Sequence, residues 1–254
     1  VNAHIHLELS CLTSLSRRPA PASFPDWIRR LLSARSRFAA DSAEPARAAR
    51  AVLAQQQAEG VVALADISNT GLPRGLASNF PGTLLCFKEY LGLRAAGLLV
   101  AMQALKADGQ ALCTGHAAYS THIQLLRILK ARANRLGHVF PIHVAESIEE
   151  HVMVRRGIGP MRDFSERIGA WDGTFQPLYG TPGGAVTYLH KHGLLDPHTL
   201  CVHCVQIMPD EVDLLAKTGA KVCLCPGSNR YLGVGRAPVL EYVGRGIGPV
   251  SYTH

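Results

Sequence analysis

Residues 1–10 read VNAHIHLELS, with His4 and His6 two apart and Glu8 two further on. In an extended strand successive side chains alternate between faces, so residues i and i+2 share one. Both imidazoles therefore project to the same side, where they can reach a single metal ion. Neutral imidazole is a strong ligand for Zn²⁺ or Fe²⁺. An isolated H-x-H is more simply a pair of hydrogen-bonded core histidines, so the rest of the chain has to decide.

Outward from this stretch, short apolar runs recur. VNAHIHL is followed by VVALAD from Val61, TLLCFKE from Thr83, LCTGHA from Leu112, VFPIHVAE from Val139, TLCVHC from Thr199 and KVCLCP from Lys221. These are seven candidate strands. Helical spacing or helix-start signals fall between them, near 25–40, 44–59, 92–108, 121–137, 147–157, 181–193 and 209–218. Alternating strand and helix demands parallel pairing with right-handed crossovers. The fold class expected is α/β, a (β/α)8 TIM-type barrel, truncated, with about seven of eight strands present. An open doubly wound sheet would carry a glycine-rich phosphate turn after its first strand, and none is there; GVGRAP (233–238) reads as loop geometry. The Pro/Gly-rich stretch GTFQPLYGTPGG (173–184) is either a loop covering substrate or a plain connector.

Composition narrows the function. Of 254 residues, 47% are hydrophobic and 18% charged, ordinary for a globular enzyme and against long disordered segments. The longest apolar stretch, around GLLVAM, is far short of the ~20 residues of a membrane span, and no signal peptide opens the chain, so a cytoplasmic protein with no membrane partner is expected. Twenty-six basic against nineteen acidic side chains give a formal +7. Arg17, Arg18, Arg29, Arg30, Arg35, Arg37, Arg47 and Arg50 are spaced as solvated faces without interleaved aromatics, so no nucleic-acid partner is expected. Seven cysteines without framework spacing point to reduced thiols. Cys201 and Cys204, three apart on a strand, would point to opposite faces and serve as small buried hydrophobes.

Position sorts the twelve histidines. His4, His6, His116, His143 and His203 fall at or near the C-terminal ends of expected strands, the ends that converge on the catalytic face of a parallel barrel. His122 starts a helix, and the others lie on helices, in loops or at the terminus. Glu146 follows His143 at the strand-to-helix turn. Four imidazoles and a carboxylate delivered by independent strands to one face form a constellation that chance spacing does not produce.

The motifs NAHIHLELS, GHAAYST, PIHVAES, CVHCVQ and LCPGSNRYLGVGRAPV occur in the order of the amidohydrolase superfamily, which the chain resembles over nearly its whole length. The likeness is to the branch of metal-dependent adenine and cytosine deaminases and chlorohydrolases, most of all the aminodeoxyfutalosine deaminase group of menaquinone biosynthesis. The resemblance implies one divalent ion, Zn²⁺ or Fe²⁺, on His4, His6 and His143. It gives Glu146 the role of proton shuttle and His203 that of holding the hydroxide or forming oxyanion. His116 would contact substrate. Ser228 and Asn229 match a pocket-shaping loop, with turn chemistry as the alternative. Glu8 and Glu89 would either touch substrate or be ordinary surface acids.

The implied substrate is an adenine-type nucleoside that loses ammonia, aminodeoxyfutalosine-like. The same machinery serves S-adenosylhomocysteine or methylthioadenosine deamination, cytosine deamination and triazine dechlorination; a catalytically silent barrel acting as a binding module is a reading from another class. Ala118 stands where the family has proline, and Gln206 where a second histidine often follows. The family's last ligand, an aspartate on the eighth strand, has no counterpart after Asp213, and the flanking β-sandwich is absent. The chain is therefore expected to be an incomplete hydrolase barrel over 1–249. The stretch VSYTH (250–254), which back-translates to a transposon end used in library preparation, would be a non-native tail. Open sheet edges predict poor solubility and little activity for such a piece, and a homodimer is left open for the full-length parent.

Overall fold

The computed structural model describes residues 1–16, 19–38 and 42–251; Arg17, Arg18 and Tyr252 to His254 lie outside the described residues. Its strands follow one another in chain order: β1 Asn2–Ile5, β2 Ala63–Ser68, β3 Thr83–Tyr90, β4 Cys113–Gly115, β5 Phe140–Val144, β6 Thr199–His203, β7 Lys221–Leu224 and β8 Val250–Ser251. All ladder pairs are parallel, in two four-stranded sheets ordered β1-β2-β3-β4 and β5-β6-β7-β8. The sheets meet where Ala117 bridges His143 and the His143 N–H donates to the His116 carbonyl at 3.0 Å. β8 lies beside β1. This is the strand order of a TIM-type barrel, although no ladder joins β8 to β1 among the described residues.

The first seven strands fall where the apolar runs place them. The two-residue β8 occupies the position that sequence reading left empty, pairing Cys223 with Val250 and Leu224 with Ser251. Ladder pairing is a main-chain interaction, so an extended segment can satisfy the open edge of β7 whatever its side chains say.

Capping starts several of the helices. Ser23 Oγ accepts from the Asp26 N–H at 3.3 Å at the head of helix Phe24–Arg35, and Ser147 Oγ accepts from the Glu150 N–H at 3.2 Å at the head of Ile148–Arg156. Helices Pro160–Arg167, Pro226–Leu232 and Val239–Gly244 were not legible from periodicity; each is at most eight residues, too short for a clear 3.6-residue pattern. No helix among the described residues is long and apolar enough to cross a membrane.

The largest apolar cluster surrounds β5 and β6, with Leu125, Leu126, Leu129, Phe140, Ile142 and Leu189 fully buried. A smaller one lies under β1 and β2, built from Ile5, Leu7, Leu53, Leu64, Leu76 and Phe80. Cys201 and Cys204 both belong to the large cluster, as small buried hydrophobes. The opposite-face argument does not hold for them, however: Cys204 lies past the end of β6 at φ +47°, and its Sγ turns back to 3.9 Å from the Cys201 carbonyl.

Candidate active site

The register levels the C-terminal ends of β5 and β6, setting His143 opposite Val202 and Val144 opposite His203. His4 and His6 come to the same place from β1, and their rings sit 4.8 and 5.4 Å from that of His143. The His6 Nδ1–H donates to the Ile67 carbonyl at 2.8 Å, and the His143 Nδ1–H to the His116 carbonyl at 3.0 Å. A carbonyl only accepts, so Nδ1 carries the hydrogen in both rings. Burial pushes the pKa of each below the ordinary histidine value, which keeps both rings neutral at pH 7. Their Nε2 lone pairs therefore face each other, 3.3 Å apart. Two acceptors at that separation repel unless a cation lies between them, and tetrahedral Zn–N bonds of about 2.0–2.1 Å place two nitrogens roughly 3.3 Å apart. His4 completes a group whose ligand atoms all lie within 4.8 Å of one another, and its buried Nδ1 has no hydrogen-bond partner. The donor set fits a divalent ion.

Beside this triad the backbone is held in an uncommon conformation. Ala145, His203 and Cys204 have φ of +53°, +78° and +47°, left-handed values that non-glycine residues seldom adopt and that cost on the order of 1–3 kcal/mol each. Buried hydrogen bonds enforce it. The Glu150 carboxylate accepts the Ala145 N–H at 3.0 Å and the Glu146 N–H at 2.7 Å, while the Ala145 carbonyl accepts from Val205 and Gln206 at 2.8 and 2.7 Å. This turn aims Glu146 at His203, with Oε1 3.4 Å from Nε2. Burial raises the Glu146 carboxyl to about 8. His203 is lowered to about 4, chiefly by burial, and its Nδ1–H donates to Asn229 Oδ1 at 2.8 Å, leaving Nε2 as the acceptor. Glu150 was not singled out from sequence; the S-x-x-E spacing of Ser147 and Glu150 was the available signal.

Glu8 and Glu89 are not surface acids, since both are more than nine-tenths buried. Glu8 accepts from the Ser68 hydroxyl and from the Asn69 and Thr70 N–H groups at 2.9–3.1 Å, so it ties the end of β2 to the segment after β1. Glu89 Oε2 accepts from Asn69 Nδ2 at 2.8 Å, whereas its Oε1 has no hydrogen-bond partner and lies 3.7 Å from His143 Nδ1. Burial raises the Glu89 pKa, partly offset by His6.

The histidine cluster opens onto a cavity of about 900 Å³. His4, His6, His116, His143, His203 and Glu146 lie on its polar side, and Glu8, Arg35, Asn69, Glu89 and Ser228 are also on the lining. Phe24, Trp27, Ile28 and Leu31 from helix Phe24–Arg35, and Met161 and Phe164 from helix Pro160–Arg167, form an apolar wall. Asn229 does not line the cavity. It is 3% exposed and acts on His203 instead, because the helix at Pro226 turns its side chain inward. Nor does any residue of 173–184 line it: Leu178 and Tyr179 bond to the Val154 and Arg155 carbonyls and Gly184 to Glu211, so that stretch is a connector. The His116 Nδ1 pairs with the Ser120 hydroxyl at 2.6 Å, and burial lowers its pKa to about 4. A neutral imidazole cluster, a protonatable carboxyl and an apolar recess together can hold a cation, activate water and accept a mostly apolar molecule.

The amidohydrolase family matches residues 1–252. Over 134 residues the chain is 34% identical to a 5-methylthioadenosine/S-adenosylhomocysteine deaminase of Nitratidesulfovibrio vulgaris, covering 53% of this chain and 25% of that one. Over 124 residues it is 32% identical to an aminodeoxyfutalosine deaminase of Deinococcus radiodurans, covering 47% and 29%. The crystal structure of Helicobacter pylori aminofutalosine deaminase with methylthio-coformycin superposes with a TM-score of 0.84 at 23% identity, covering 99% of this chain and 62% of that one. The matched stretches thus span under a third of these curated relatives, and the chain spans about three fifths of the solved one.

Proposed function

The chain belongs to the amidohydrolase family, and from that premise we propose that the protein is a metal-dependent deaminase releasing ammonia from an adenine-type nucleoside of the aminodeoxyfutalosine kind. The observation that carries the reading is the facing pair of Nε2 lone pairs on His6 and His143, beside a buried glutamic acid. His4, His6 and His143 would hold the ion, Zn²⁺ or Fe²⁺. When bound, such an ion lowers the pKa of water to about 7 and so supplies hydroxide at neutral pH.

The chain's own residues do the proton work. With its pKa near 8, Glu146 has both protonation states accessible close to neutrality, so it can take a proton from the water and return it to the ring nitrogen under attack. A second transfer through the same carboxyl helps ammonia leave. His203, locked by Asn229 with Nε2 as acceptor, receives a hydrogen bond from the attacking water. The free Glu89 Oε1 accepts from sugar hydroxyls, with His116 and Ser228 also touching substrate from the cavity lining. The wall of Trp27, Leu31 and Phe164 takes an apolar substituent at the far end of the nucleoside.

The test is ammonia release from adenosine-type nucleosides, cytosine and triazines, before and after chelation, alongside metal analysis. Adenine nucleosides should react, and chelation should stop them. Turnover of only cytosine or triazines, or turnover indifferent to chelation, would sink the reading. Glu146→Gln should keep the metal content while lowering the rate by roughly 10²–10⁴-fold.

A further inference from the structure

Among the described residues Cys225 is the one cysteine on the cavity lining, and the deaminase chemistry gives it no work. It sits immediately after β7 as the N-cap of helix Pro226–Leu232, 1% exposed. The ligand atoms of His4, His203 and Cys225 all lie within 4.8 Å of one another. His203 is already oriented for ligation, because the bond from Nδ1 to Asn229 leaves the Nε2 lone pair free. His4, only 6% exposed, has a buried Nδ1 without a hydrogen-bond partner. We propose that His4, His203 and Cys225 form a second site, for a thiophilic divalent cation such as Cd²⁺ or Zn²⁺, which is filled in alternation with the three-imidazole site because both draw on the single lone pair of His4.

The donor sets separate the two. His4, His6 and His143 offer three nitrogens, whereas the second group replaces one with sulfur, which selects softer cations. Binding converts the thiol to a metal thiolate and releases one proton to solvent; no electron is transferred. Occupancy would also draw the His203 Nε2 away from Glu146, now 3.4 Å distant, and so inhibit. That consequence rests on the deaminase reading; the site itself does not.

The experiment is a Cd²⁺ titration of the purified chain carrying Cys11→Ser and Cys86→Ser, which removes the two cysteines that are not buried. Thiolate-to-cadmium ultraviolet absorption and proton release are followed together. The expected result is a charge-transfer band that saturates with one equivalent and is lost in Cys225→Ser, while Cys223→Ser retains it. Cys225→Ala serves if the serine variant fails to fold, judged by circular dichroism. A band that survives removal of Cys225, or no band at all, overturns the proposal. If the band behaves as expected and Cd²⁺ leaves ammonia release untouched, it is the role assigned to His203 in deamination that fails.

Discussion

Sheet β1–β4 and sheet β5–β8 deliver histidines to the same centre, both with the help of buried carboxylates, but they differ in backbone conformation and in apolar packing. In the first, buried carboxylates tie loops to strand ends: Asp66 Oδ1 accepts the Leu7 N–H at 2.7 Å, and Glu8 gathers three donors from Ser68, Asn69 and Thr70. The apolar cluster under β1 and β2 is the smaller of the two. In the second, Phe140, Ile142, Val144 and Val202 are fully buried, and three left-handed residues aim Glu146 and His203. Strained backbone persists only where the surroundings over-determine it. The half with the larger apolar cluster thus holds Glu146 and His203 in place, and the other brings His4, His6 and Glu89 to the same cavity.

Removing apolar volume should break this contrast most. Phe140→Ala is expected to cost ~3–5 kcal/mol in urea denaturation, against no more than about 2 kcal/mol for the half-buried Leu84→Ala. Equal costs would mean that the two halves are not differently packed. Next comes the turn that aims Glu146. Glu150→Ala leaves two buried N–H groups without an acceptor and should cost ~3 kcal/mol, whereas Glu8→Ala should cost about 1–2 kcal/mol because the Asn69 and Thr70 N–H groups are only partly buried.

Acidity provides a third test. Asp66 is raised to about 7 and Glu146 and Glu150 to about 8, each chiefly by burial, so over pH 6.5–8 the folded chain binds more protons than the unfolded one. These acids make stability fall as pH rises through that window, each by up to about 1.4 kcal/mol per pH unit while it stays protonated in the folded chain and less as pH passes its folded pKa. The buried histidines are all lowered from 6.5 and are still partly charged in the unfolded chain near that value, so they oppose the fall at the low end of the window and have little effect by pH 8. Thermal melts of metal-free protein at pH 6.5 and 8 should show the loss, and saturating Zn²⁺ should shrink it by favouring ionised Glu146. A flat profile would mean that these acids are solvated. The smallest effect is expected at Glu89→Gln, which removes a buried ionisable group and should raise the metal-free stability at pH 8 by about 0.5–1 kcal/mol while weakening nucleoside binding in calorimetry.

Much of this arrangement was legible in the amino-acid order. The i, i+2 spacing of His4 and His6, the placing of His116, His143 and His203 near the ends of apolar runs, and Glu146 at the following turn all depend on local periodicity. Where sequence reading fell short, the missing information was non-local. Glu8 looked like a surface acid because its partners, Ser68 to Thr70, are about sixty residues away. Asn229 looked like a pocket residue because nothing local says that its amide oxygen meets His203, 26 positions earlier. The apolar wall on helix Pro160–Arg167 went unseen for the same reason.

The sequence by itself determined a chain of alternating strands and helices whose histidines gather at one end, because side-chain alternation and strand order are local properties that any parallel packing must respect. Only the tertiary structure decided which nitrogen of His6, His143 and His203 carries its hydrogen, how deeply Glu146 is buried and which thiol reaches the cavity. Those depend on carbonyl, amide and apolar groups brought from distant parts of the chain, and no spacing rule encodes them.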